Sequence, residues 1–372
     1  MNALRARRAA AAAGLALALL AGGGAQARAG TAGLSVFEAF AASRTVTMQP
    51  RAAALLSLVV EQYVGATHAL ADSAPRAQGY AATYGIPVAS DLHGAGIPLS
   101  YGGQCYANYP GETQADCGVP IPGVVAPRPP EGSPLDGGMF FARANAVGDP
   151  VDTQKLSAAG ATESGGFRLA DVVDVGFNRS RSRTFLDDKG VHAVTASAAK
   201  DIRVGTALSI ASISAVAEVF HGGDLATATG KASTDIEGVT IGGVPVLIGP
   251  EGVMVQGAKL AEAKTPDADA VRKAMAAQGL SIEPLAAPSV SKDQSTGYVN
   301  ATASGFKLLL RRPTGDQFSI TFGDASARAT AVRASAAQGD SDLLLSAGPT
   351  NPSAAASPAP GREPEPALGW AA

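Results

Sequence analysis

The chain has 372 residues, 29 Lys and Arg against 32 Asp and Glu, and a formal net charge of −3 at pH 7. That mild acidity excludes nucleic acid and anionic membrane surfaces as obligatory partners, because both require clustered Lys and Arg. The length suits one large domain or two ordinary ones.

Residues 1–29 read as a secretory signal. Arg5, Arg7 and Arg8 form a charged start, "AAAAAGLALALLA" is an apolar run short for a bilayer span, and Ala27-Arg28-Ala29 offers an A-x-A cleavage site. Removing the segment takes four arginines with it and leaves a more acidic chain. No later apolar stretch approaches the ~18 residues of a transmembrane helix. The expected location is secreted or extracellular, cell-wall associated, with no span after signal removal.

Residues 30–165 predict a loop-rich region with one disulfide. Leu55, Leu56, Val59, Val60, Tyr63 and Val64 fall at helical spacing, so a helix is the local expectation, with a strand as the alternative that the β-branched content allows. Short alternating pieces follow, "AQGYAATYG" and "MFFARANAVG", and "CGVPIPGVVAPRPPEGSPLDGG" is too rich in Pro and Gly for regular structure. Cys105 and Cys117 are the only cysteines and bracket a short loop containing Pro and Gly. Outside the cytoplasm such a pair is expected to form a disulfide, contributing on the order of 3 kcal/mol in the chain-entropy account. A metal site would need two further ligands, and a redox pair normally has C-x-x-C spacing.

Residues 166–335 predict an antiparallel β domain built from hairpins. "VVDVGFNRSRSRTFL", the turn "DDKG" and "VHAVTASAAKDIRV" pair in one favourable register, with Leu186 opposite Val191, Ser182 opposite Thr195, Val175 opposite Ile202 and Asp174 opposite Arg203. A one-residue slip would send every side chain to the wrong face. A Gly222-Gly223 loop is expected to pair Val219 with Ala226 and Ser214 with Lys231. A Gly242-Gly243 loop should pair Ile241 with Val244 and Val239 with Val246, since two-residue hairpin loops need positive φ. Pro245 lacks a ladder donor and belongs at a sheet edge or a strand start.

One helix is expected over 266–278, capped by Thr265, opened by Pro266, with Asp267 and Asp269 in its first turn and Gly279 closing it. Its narrow apolar side is Ala268, Val271, Ala274 and Met275. Two strands, "GFKLLLRR" and "QFSITFGDASARAT", turn at "PTGD" with Leu309 opposite Ile320. Residues 336–372 read as a disordered Ala/Ser/Pro-rich tail.

Catalytic motifs are absent, so the chain is expected not to be an enzyme and to carry no catalytic, cofactor-binding or metal-binding residues. His68, His93, His192 and His221 lie far apart, and His192 and His221 sit beside turns where solvated side chains are expected. Ser197 and Lys200 form an S-x-x-K match, but on a strand the two point to opposite faces. "GGDLATATGKAS" departs from a phosphate-binding loop at Leu225 and Ala232. The feature with chemistry is "RSRSR". Arg179, Arg181 and Arg183 share one face of their strand, the face expected to carry Val173, Val175 and Phe177, beside Ala198, Ala196 and Val194 of the next strand. Either they are cations reaching water at the edge of the core, or they form a multivalent anion patch for acidic wall polymers or carboxylates.

"VHAVTASAAKDIRVGTALSIASISAVAEV", "GVTIGGVPVLIGPEGV", "GLSIEP" and "YANYPGE" together resemble uncharacterised exported proteins of high-GC Gram-positive bacteria, choice-of-anchor-like β-rich surface proteins, over roughly residues 70–335. The resemblance implies export and a β-rich surface module. The expected fold class is mostly β (α+β), an antiparallel hairpin-built sheet or sandwich with one short packed helix. The expected role is structural or adhesive at the cell surface, with cell-wall polymer or other surface proteins as partners. An extracytoplasmic carrier of a hydrophobic ligand is the alternative and a secreted hydrolase the third.

Overall fold

A computed structural model describes residues 33–51, 62–85, 104–117, 140–149, 155–169 and 172–333. The signal, residues 52–61 of the expected helix, the Pro-rich stretch after Cys117, His93 and the tail lie outside these residues. The strands are β1 (Leu34–Arg51), β2 (Gln62–Asp72), β3 (Arg76–Gly85), β4 (Gln104–Tyr109), β5 (Gln114–Cys117), β6 (Phe140–Val147), β7 (Ser157–Ser164), β8 (Phe167–Leu169), β9 (Val173–Leu186), β10 (Val191–Val204) and β11 (Leu208–His221). They continue with β12 (Thr229–Glu237), β13 (Thr240–Ile241), β14 (Val244–Pro245), β15 (Leu247–Gly249), β16 (Gly252–Val255), β17 (Ala258–Lys259), β18 (Leu280–Ile282), β19 (Ser289–Asp293), β20 (Tyr298–Ala303), β21 (Phe306–Arg311) and β22 (Gln317–Arg333). The helix is α1 (Pro266–Gln278).

These strands form two antiparallel sheets packed face to face. The first runs β18-β21-β22-β1-β2-β3-β4, with β20 also on β22 and β19 on β20. The second runs β14-β13-β11-β10-β9-β7-β6-β5, with β12 on β11 and β8 on β9, and β15-β16-β17 form a small sheet apart. The expected mostly β class with one short helix therefore holds. The boundary expected at 165/166 does not divide the sheets, because β1 pairs with β22 from Leu34↔Arg333 to Arg51↔Gln317, and β7 pairs with β9. The supposedly loop-rich stretch supplies seven strands, and Tyr63 and Val64 are extended in β2 rather than helical.

Two hairpins follow their expected registers. Leu186↔Val191 and Val175↔Ile202 pair as read from the sequence. Ile241 pairs with Val244 about Gly242 (φ +59) and Gly243 (φ +80), both left-handed as a tight two-residue loop requires. Pro245 lies on the edge strand β14. The Gly222-Gly223 register is wrong: Val219 pairs with Gly230 and Ser214 with Asp235. Asp224 starts a helical turn, its carbonyl accepting from the Thr227 and Ala228 N–H groups, which lengthens the loop. The "PTGD" register is off by one, with Leu308 rather than Leu309 opposite Ile320. Arg312 closes on Asp316 across a three-residue loop ending in left-handed Gly315 (φ +89).

α1 forms as its caps dictate. The Thr265 hydroxyl accepts from the Ala268 N–H, and Gly279 adopts φ +60. Ala268 and Val271 are buried, while Ala274 and Met275 are partly buried against a core of Val, Ile, Leu and Phe side chains.

The rest of the interior is built differently. Ala39, Ala41, Ala69, Ala71, Ala142, Ala144, Ala193, Ala217, Ala327 and Ala329 are among a second cluster made largely of alanines. Stacked sheets normally sit about 10 Å apart, with larger side chains filling the gap. Alanine cannot span it, so the sheets close in. A Cβ placed on Gly160 of β7 would lie 1.9 Å from the Tyr80 carbonyl oxygen of β3, and one on Gly79 would lie 2.4 Å from the Ala159 carbonyl oxygen. Where alanines give way to hydroxyls, the sheets are cross-linked: Ser43 Oγ meets Ser180 Oγ at 2.6 Å, and Thr67 Oγ1 meets Ser182 Oγ at 2.8 Å and Ser180 Oγ at 2.9 Å. All four residues are buried, so each bond offsets a desolvation cost of about 1–3 kcal/mol.

A crease separates the two core regions. Inward-facing side chains break the two-residue alternation there: Val64 steps to Thr67 and Phe322 to Ala325 in the first sheet, Val175 to Asn178, Ile202 to Ala199 and Ile210 to Ile213 in the second, while in β1 the adjacent Thr45 and Val46 are both buried. Gly65 (φ +65), Gly323 (φ +72) and Asp201 (φ +52) turn left-handed along it. Because each strand changes phase opposite its neighbour, pairing continues without a shift.

Replacing Gly160 by Ala should force the sheets apart and cost about 2 kcal/mol or more. Gly249→Ala, where an added Cβ meets nothing within 4 Å, should change stability by less than about 1 kcal/mol. Urea unfolding of both variants checks the contrast.

Candidate functional site

The arginines of β9 lie on the outer face of the second sheet. The face expected for them is corrected by the crease: Val173 and Val175 point inward, whereas Phe177, Arg179, Arg181 and Arg183 are half-exposed on the opposite side. The phase changes at Gly176, opposite Asp201, where a Cβ would lie 2.8 Å from the Asp201 Cβ. Beyond that point the inward positions of β9 are Asn178, Ser180, Ser182 and Thr184, all buried.

Neighbouring strands place small residues beside the arginines. Ala198, Ala196 and Val194 of β10 stand opposite Arg179, Arg181 and Arg183, as expected. On the other side, β7 sets Glu163, Ala161 and Ala159 opposite the same three. Arg179 Nε donates to Glu163 Oε2 at 2.7 Å and its Nη2 lies 2.5 Å from the same oxygen. The Glu163 side chain is 8% exposed, and its Oε1 is buried with no hydrogen-bond partner among the described residues. Arg143 of β6 lies opposite Ala161 and extends the basic surface by one more side chain. Burial lowers the pKa of Arg181, the like charge of Arg179 lowers it further, and Glu163 opposes the shift. Burial also lowers that of Arg183.

The rings on this face are already engaged. Arg179 lies 5.7 Å from the Phe177 centroid and Arg183 4.6 Å from that of Phe185. Phe185 stacks on His192 at 4.5 Å, and Phe220 meets His192 in a tilted contact at 4.9 Å. His192 is therefore held, not solvated, and its Nε2 lies 3.0 Å from Asp187 Oδ2. Partial burial pushes the Asp187 carboxyl up, but the Lys189 N–H, the His192 imidazole and the Gly190 N–H hold it below the ordinary value. His221 departs further from expectation: it is 1% exposed, and its Nδ1 accepts from the Gly223 N–H.

The first sheet carries an aromatic row on its own outer face, unread from the sequence. Phe40, His68, Tyr80 and Tyr106 come from four adjacent strands, with centroids 6.0, 4.6 and 4.8 Å apart. The Tyr63 and Tyr80 hydroxyls meet at 2.6 Å. Desolvation lowers the His68 pKa to about 4.

Ser197 is buried and Lys200 exposed on β10, so the S-x-x-K pair does not converge. Cys105 is buried and disulfide-bonded on β4. Cys117, the chain's other cysteine, lies on β5 at the edge of the other sheet, its side chain outside the described residues. Among the described residues no three His, Cys, Asp or Glu side chains gather to hold a metal ion. No helix among them is long and apolar enough to cross a membrane. A recess of about 230 Å³, lined by Val172, Gly205, Ala277, Gln278, Leu310, Arg312 and Pro313, is smaller than sites that enclose drug-sized ligands.

Between pH 6.5 and about 4 the unfolded chain binds a proton at His68 that the folded chain refuses, so stability falls as pH drops through that window. His68→Phe keeps a ring in the stack and removes the proton. On moving from pH 7 to pH 5 in urea melts, the parent chain should lose about 1–2 kcal/mol more than the variant. His221 shifts in the same direction and is common to both proteins.

No family model matches the chain, and no curated protein matches it. Among solved structures, that of OprD from Pseudomonas aeruginosa aligns over 83% of this chain and 98% of its own at 8% identity and a TM-score of 0.15, too low to carry an argument.

Proposed function

We propose that the chain is an exported, non-enzymatic structural or adhesive protein of the cell surface, of the kind that the resemblance to exported high-GC Gram-positive proteins suggests. The observation that supports this reading most is the backbone-close contact of β3 with β7. It makes the region between the sheets a solid plate and leaves the outer faces, one with arginines and one with aromatic rings, as the surfaces available to partners. The same contact disfavours the carrier reading, because an apolar ligand would have to separate backbones that already touch. Among the described residues no grouping of side chains favours the hydrolase reading.

The test is location and phenotype. In the organism that encodes it, the chain should be recovered with the cell envelope and be labelled on intact cells by a membrane-impermeant reagent. A strain lacking it should attach less well to surfaces or to other cells. Recovery in the cytoplasm would refute the surface reading. Unchanged attachment together with an accumulated unprocessed substrate would point to an enzyme.

A further inference from the structure

We propose that the arginine ladder of β9 binds a linear polyol-phosphate polymer laid along the strand, one phosphate to each guanidinium. The inference rests on the surface-protein reading above, since that is the setting in which the chain would meet such a polymer.

Spacing carries the argument. Arg179, Arg181 and Arg183 lie two residues apart on one face of an unbroken strand, so their attachment points recur about every 6.7 Å. A polymer of three-carbon polyols joined by phosphodiesters has roughly six backbone bonds between charges, as many as two residues of polypeptide, and its extended repeat is about 7 Å. Cation and anion therefore stay in step across the ladder without either chain bending. The planar guanidinium fork also matches two phosphate oxygens at once.

Charge and shape agree with this. Arg143, Arg179, Arg181 and Arg183 share this face with one buried carboxylate, Glu163, whose ion pair holds Arg179 in place. Ala196 and Ala198 beside the ladder form a low shoulder along which a slender chain can lie. The polymer should lack bases: Phe177 and Phe185 already carry the guanidinium groups of Arg179 and Arg183, and Phe185 is stacked on His192.

The experiment is a titration of the purified full chain with poly(glycerol phosphate) over a range of salt concentrations. Arg181→Gln with Arg183→Gln should weaken binding by at least about tenfold and reduce the slope of log K against log salt by about two. Lys264→Gln with Lys273→Gln, the same charge change on exposed residues elsewhere, should leave both unchanged. Arg181→Lys with Arg183→Lys should fall between parent and Gln variant, and separates loss of the fork from loss of fold. Equal loss in the Lys264/Lys273 variant, no loss in the Arg181/Arg183 Gln variant, or binding of polygalacturonate or single-stranded DNA as tight as that of the phosphate polymer would each overturn the proposal. A chain that sits on the cell surface yet ignores the polymer would sink this inference alone. One that binds it but stays in the cytoplasm would sink only the surface reading.

Discussion

The separation between the two sheets is the constraint on which the rest of the molecule depends. Where the facing residues are alanine and glycine, the backbones of β3 and β7 come into contact, and a single added methyl at Gly160 has nowhere to go. Such an interior gains little hydrophobic stabilisation per residue, since alanine buries little area. It compensates with extent, using long strands paired over many rungs, and with hydroxyl bridges such as Ser43 to Ser180 and Thr67 to Ser182 that fix how one sheet sits on the other. Branched and aromatic side chains are concentrated beyond the crease, where the sheets diverge enough for α1 to help close the end.

The crease decides which side chains become surface. Without the phase change at Gly176 the three arginines would point into the interior with Val173 and Val175, and their charge could not be accommodated. With it, Ser180 and Ser182 turn inward to meet the first sheet and the arginines turn outward. One irregular residue per strand thus produces both the hydroxyl bridges and the basic outer face. Glu163, on the neighbouring strand, completes the arrangement by anchoring Arg179.

Much of this was legible where side chains differ sharply in size or charge. The β9–β10 register followed from placing Asp174 opposite Arg203 and Val175 opposite Ile202, and α1 from its caps. Strands β1 to β7 were largely illegible beyond the short alternating pieces at β3 and β6, because most of their inward positions are Ala, Ser and Thr, as in "EAFAASRTVT" and "GATHALAD", so the contrast between alternate residues is faint. The three-residue step at the crease then breaks the period of two on which strand reading depends. At the candidate site the arginines on one strand could be read, but their flip in face, the Glu163 anchor and Arg143 arise from pairing across strands distant in sequence. The aromatic row needs four strands in register and leaves no signal in any one of them.

The pairing of β1 with β22 carries a mechanical consequence. Leu34 and Arg333 are partners at one end of that long antiparallel pair, so the chain enters and leaves the sandwich at the same pole. A load applied through both of these points acts across the ladder and opens it rung by rung, like a zip. A load taken instead between that pole and the opposite outer face has to break many backbone hydrogen bonds together. The same molecule would therefore yield to tension through its ends and resist tension on its faces.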